Sequence, residues 1–94
     1  AYLFLFLEGL AEAGVRQGLP RDAALALALQ TTFGAAKLAL EDGRTPAELR
    51  AQVSSPGGTT LAGLAQLDLA DLKGALDRAV AAATARSREL SDGA

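Results

Sequence analysis

The sequence predicts an all-α domain, a helical bundle of about five helices whose apolar faces require a second copy of the chain. Three observations predict it. Half of the 94 residues are hydrophobic while only 4% are aromatic, and Ala and Leu, both strong helix formers, dominate. β-Branched residues, which sheets favour, are scarce. Several segments are apolar on more than one face, and a chain of this size buries only about 60–70% of its unfolded surface alone.

The first helix is expected over residues 1 to about 17. Tyr2, Leu3, Phe4, Leu5, Phe6 and Leu7 leave it no polar side, so neighbours from another chain must cover it. Gly18-Leu19-Pro20 ends it. Pro20 suits the first position of a second helix reaching about residue 41, with Arg21 and Asp22 in its first turn. Along it Leu25, Leu29, Thr32, Phe33, Ala36 and Leu40 form one stripe expected to be buried, and Leu27, Gly34 and Leu38 a narrower second one. Gly34 would allow a close helix crossing. Asp42-Gly43 is a stop signal.

Thr45-Pro46-Ala47-Glu48 is a capping box with proline at the first helical position, opening a short helix that ends near Val53. A fourth helix starts at Thr59 or Thr60 and runs to about Leu67. Residues 68–71 form a break, capped by Asp68 or Asp71. The last helix reaches about Leu90, with Leu69, Leu72, Leu76, Ala79, Val80, Ala83, Ser87 and Leu90 as a narrow seam, and residues 91–94 are expected to fray. The whole chain, 1–94, reads as one domain without internal repeats or linkers.

Composition excludes several function classes. There is no cysteine and no histidine, so thiolate chemistry, imidazole acid–base catalysis and nearly all zinc sites fall away. The net charge of −2 gives no footprint for nucleic acid, and no basic amphipathic helix points to a membrane surface. The apolar start, without a leading methionine, reads as part of a longer chain rather than a secretory signal, because no basic segment precedes it. Absence of cysteine is compatible with a cytoplasmic location.

The chemistry-bearing stretch is Val53-Ser54-Ser55-Pro56-Gly57-Gly58-Thr59-Thr60, followed by Leu61-Ala62-Gly63-Leu64. A small-residue turn leading into a helix presents free backbone N–H groups at the positive end of the helix dipole. Such a place holds an anion. It lacks the Gly-Lys-Ser/Thr of a P-loop and carries no basic side chain, so a small carboxylate fits better than a polyphosphate. The alternative is a plain helix start with glycines for a sharp turn and no ligand. Other residues have simpler explanations. Glu8 with Glu12, and Asp68 with Asp71, read as solvated faces or caps. Tyr2 reads as core, and Arg86 and Arg88 as charges favourable to a helix C-terminus.

These residues also resemble the C-terminal domain of the pyrroline-5-carboxylate reductase family. The first eight residues, Ala1 to Glu8, are similar to its first dimerisation helix. Ala13-Gly14-Val15, Gly18-Leu19-Pro20-Arg21, Gln30-Thr31 and Gly34-Ala35-Ala36-Lys37 follow in register. Pro46-Ala47-Glu48-Leu49 leads into the family's Ser-Pro-Gly-Gly-x-Thr signature, and Ala79-Val80, Ala83-Thr84, Arg86-Ser87 and Glu89-Leu90 match its closing helix. One departure is Ala70-Asp71-Leu72-Lys73, where the family often has Gly-Gly-Phe-Arg.

The resemblance implies an interlocked homodimer, often assembled further into decamers, and reduction of 1-pyrroline-5-carboxylate to L-proline. It implies NADPH or NADH held by an N-terminal Rossmann domain outside this chain, so the chain alone is expected to be inactive. Backbone groups of Ser55, Thr59 and Thr60 would hold the substrate carboxylate, Gly57 and Gly58 would shape the turn, and the Thr60 hydroxyl, as catalytic group, would face the ring nitrogen. No cofactor-binding or metal-binding residue is expected in the chain. The competing reading is a helical dimerisation module without a ligand site of its own.

Overall fold

The computed structural model describes residues 1–93 and contains five helices and, among the described residues, no strand. They are α1 (Tyr2–Arg16), α2 (Arg21–Asp42), α3 (Pro46–Gln52), α4 (Thr59–Leu69) and α5 (Leu72–Asp92). The chain divides into two compact units, Ala1–Leu49 and the residues from Arg50 onward, with the boundary inside α3.

In the first unit α1 packs against α2. The turn between them is a Schellman motif. Gly18 adopts φ +109°, its amide donates to the Val15 carbonyl, and the Leu19 amide donates to the Gly14 carbonyl, both at 3.0 Å. Pro20 sits at the N-cap of α2, one position before the expected one, and its carbonyl accepts the Ala24 amide. Gly43, at φ +86°, ends α2 in the left-handed region, where glycine pays no Cβ penalty.

The buried stripe differs from the expected one. Leu7 of α1 and Ala24 and Ala28 of α2 are buried, with Ala24 only 3% exposed. Thr32, a member of the expected stripe, continues this one half-buried, its hydroxyl donating to the Ala28 carbonyl at 2.8 Å. Leu25, Leu29, Phe33 and Leu40 face away and are exposed, Phe33 at 62% and Leu40 at 86%, as are Ala36 and the second stripe of Leu27, Gly34 and Leu38. Small residues decide this, because a helix approaches another most closely where it carries Ala or Gly. The close approach lies at Gly14, where a Cβ would stand 3.3 Å from both Ala24 Cβ and Leu19 Cδ1. Gly34, the expected crossing point, meets nothing within 4 Å.

The Thr45–Glu48 capping box forms as expected. The Glu48 amide donates to Thr45 Oγ1, and the Thr45 amide donates to Glu48 Oε1, both at 3.2 Å. That amide, seconded by the Thr45 hydroxyl, holds the Glu48 carboxyl below its usual range. Beside it, the Arg44 guanidinium donates to both Asp42 oxygens at 2.6 and 2.8 Å and lowers the Asp42 pKa.

In the second unit α4 packs on α5, and Leu64 and Leu72 are half-buried there. The break is shorter than expected, Ala70 and Asp71 alone, because Asp68 and Leu69 continue α4. Of the two candidate caps, Asp71 is the one used. It adopts φ 54°, ψ 54° and its carboxylate accepts the Gly74 amide at 3.2 Å. Within the expected seam only Leu72 and Ala79 are half-buried. α5 runs on through Ser91 and Asp92, two residues beyond the expected end, and Ala94 lies outside the described residues.

Candidate functional site

Ser55-Pro56-Gly57-Gly58 is a β-turn closed by the Gly58 amide donating to the Ser55 carbonyl at 3.0 Å. Proline at the second position and a glycine with φ +71° at the third give it the type II pattern. Nothing else at position 57 would adopt that φ without strain. Gly58 is constrained sterically, since a Cβ there would sit 3.1 Å from the Ser55 carbonyl oxygen.

Gly58 is extended, with φ −84° and ψ 174°, and serves as the N-cap of α4 without a side-chain hydrogen bond. Its carbonyl accepts the Ala62 amide, the first closed rung of the helix. The amides of Thr59, Thr60 and Leu61 have no internal acceptor among the described residues. Thr59 and Thr60 are exposed, as are Ser55, Pro56 and Gly57, while Gly58 is half-buried. Helix formation thus leaves a row of N–H donors at the positive end of α4, in the open.

The five residues expected to bind substrate therefore come together at one turn-to-helix junction, with different tasks. The Gly58 amide is committed to the turn, and Ser55 supplies the carbonyl that closes it. Thr59 and Thr60 retain free amides and hydroxyls. No ionisable side chain belongs to this junction, so its attraction for an anion comes from peptide dipoles alone.

Two features lay outside the sequence reading. Ser54 is half-buried and ties the turn to α3, its amide donating to the Ala51 carbonyl at 3.2 Å and its hydroxyl to the Arg50 carbonyl. A Ser four residues after a helical carbonyl is the signal that would have found it. The second is a cavity of about 350 Å³ lined by Arg50, Leu64, Leu67, Asp68, Asp71, Leu72 and Lys73. It lies at the α4–α5 break and includes none of the turn residues. Among the described residues no group of acidic side chains is arranged to hold a metal ion.

The family model for pyrroline-5-carboxylate reductase dimerisation matches residues 1–90. The chain is 53% identical over 91 residues to a pyrroline-5-carboxylate reductase of Pisum sativum, covering 97% of this chain and 33% of that protein. It is 51% identical over 90 residues to the enzyme of Corynebacterium melassecola, covering 96% and 33%. Among solved structures, the pyrroline-5-carboxylate reductase of Coxiella burnetii superposes with a TM-score of 0.92 at 40% identity, over 95% of this chain and 33% of that one. The Plasmodium falciparum enzyme, solved with NADP bound, gives 0.84 at 36% identity, over 86% and 31%. The chain thus spans about a third of the length of the relatives it matches.

Proposed function

The chain belongs to the pyrroline-5-carboxylate reductase dimerisation family, and from that premise we propose that it is the C-terminal helical domain of a reductase converting 1-pyrroline-5-carboxylate to L-proline in the cytoplasm. The observation that carries the site assignment is the exposed row of unpaired amides at Thr59 and Thr60 behind the Pro56-Gly57 turn. A ring carboxylate accepts from these amides, and fixing it orients the C=N bond, which is the larger part of what catalysis by positioning requires. The Thr60 hydroxyl lies on the same junction and faces the ring nitrogen, where it orients the imine. Reduction adds a hydride to the ring carbon and a proton to the nitrogen. The described residues include no strand and no Gly-x-Gly-x-x-Gly turn, so they do not fit a dinucleotide. NADPH or NADH belongs to a Rossmann domain outside these residues, and this chain alone is inactive.

The exposed surface supports a homodimer, and further assembly into decamers rests on the family resemblance alone. The chain exposes 7564 Å², whereas two separate folded bodies of half its 9.5 kDa mass would together expose about 6,100 Å². Large apolar side chains are part of the exposed surface. They include Phe4 at 76% and the outward leucines and Phe33 of α2. α2 is also long and apolar enough to cross a membrane by length and composition. Gln30, Thr31 and Lys37 within it favour cover by a protein partner over lipid.

In the full-length enzyme Thr60→Ala lowers kcat while leaving the dimer intact by sedimentation. Unchanged kinetics would remove Thr60 from the mechanism. Proline titrated into the protein and followed by NMR distinguishes a substrate site from a bare dimerisation module, through shifts confined to residues 55–60.

A further inference from the structure

We propose that Ser54 is a positioning residue for the carboxylate-binding turn, an inference that rests on the substrate-site reading above. The last carbonyls of any helix lack intrahelical donors. At the end of α3, Ser54 supplies two, its amide to Ala51 and its hydroxyl to Arg50. One residue later the Ser55 carbonyl closes the turn on the Gly58 amide. Between these anchors lie only Pro56, whose ring fixes φ, and Gly57.

The turn with its free Thr59 and Thr60 amides is therefore a stiff body whose angle to α3 is set at Ser54. The hydroxyl matters because the amide bond alone leaves the residue free to swivel about a single contact. Without it the donors are still present but no longer held in the orientation a carboxylate needs, and ordering them falls on the substrate. That cost appears in binding and not in the chemical step.

The test is steady-state kinetics of the full-length enzyme. Ser54→Ala is expected to raise KM for 1-pyrroline-5-carboxylate about 2–10-fold, the equivalent of one neutral hydrogen bond. kcat and the cofactor KM stay unchanged, and Ser54→Thr restores the wild-type KM. The isosteric pair Ser54→Thr and Ser54→Val repeats the comparison at constant shape, in case alanine destabilises the fold. Gly57→Ala serves as the control for the site itself, because it distorts the turn from within. If Gly57→Ala raises KM and Ser54→Ala does not, the role of Ser54 is wrong and the substrate site stands. If neither variant changes KM, the turn does not bind the substrate. A fall in kcat for Ser54→Ala at constant KM, or no difference between Thr and Val, also overturns the proposal.

Discussion

Asp71 is the described non-glycine residue with a positive φ, and its replacement gives a graded stability series. Two contributions set the magnitude. Alanine at φ 54° meets the left-handed penalty of about 1–2 kcal/mol, which aspartate bears more lightly. Loss of an N-cap side chain costs typically about 1 kcal/mol. The exposed Arg78 contact at 3.4 Å adds little. Asp71→Ala should therefore destabilise by about 2 kcal/mol, or about 8–16 °C in Tm for a chain of this length. Asp71→Asn keeps both features and stays near wild type. Asp71→Gly loses the cap but removes the backbone strain, and lands close to aspartate.

Gly74 extends the test, because a Cβ there would overlap the Asp71 carboxylate. Gly74→Ala should thus destabilise the wild-type chain by expelling the cap. It should stabilise the Asp71→Gly background by up to about 1 kcal/mol through helix propensity. The assay is thermal and urea unfolding by circular dichroism at fixed protomer concentration, since association shifts apparent stability. Equal stability of the Ala and Gly variants at position 71, or an additive double variant, would refute the reasoning.

Two other expectations concern acid and assembly. The carboxyls of Asp42, held by Arg44, and of Glu48, held by the Thr45 amide, both have folded pKa values below their unfolded ones. The unfolded chain therefore binds protons first, and their stabilisation, complete above roughly pH 5, is lost as pH falls through the lowered values. Asp42→Asn with Glu48→Gln should flatten the acid limb of a stability–pH profile, and an unchanged limb would show that other groups cause it. Phe33→Asp, on the exposed face of α2, should shift the protein from dimer to monomer in sedimentation velocity while leaving the α1–α2 contact at Ala24 and Ala28 untouched. A dimer of undiminished affinity would place the interface elsewhere.

What the sequence made legible is largely punctuation. Gly18, Gly43, Thr45 with Glu48, and Pro56-Gly57 each act through their own backbone or their nearest neighbours, so their effects are written locally. Helix ends came within two residues for the same reason. The buried face of α2 was not legible in this way. That helix is apolar nearly all round, so periodicity does not rank Leu25-Leu29-Phe33 against Ala24-Ala28, with Thr32 common to both readings. The choice fell to small side chains opposite Gly14, a pairing that depends on two helices at once. At the turn, the residue types announced a bend before a helix. That the Gly58 amide is spent inside it and those of Thr59 and Thr60 are not follows only from the path of the backbone.

The uncovered sides of α1 and α2 also bear on synthesis in the cell. A newly made copy that has not met its mate presents a sticky surface of Phe and Leu, which chaperones and proteases recognise. Supply of this polypeptide would then be self-limiting at low expression: orphan copies are cleared, and only those produced fast enough to find one another persist.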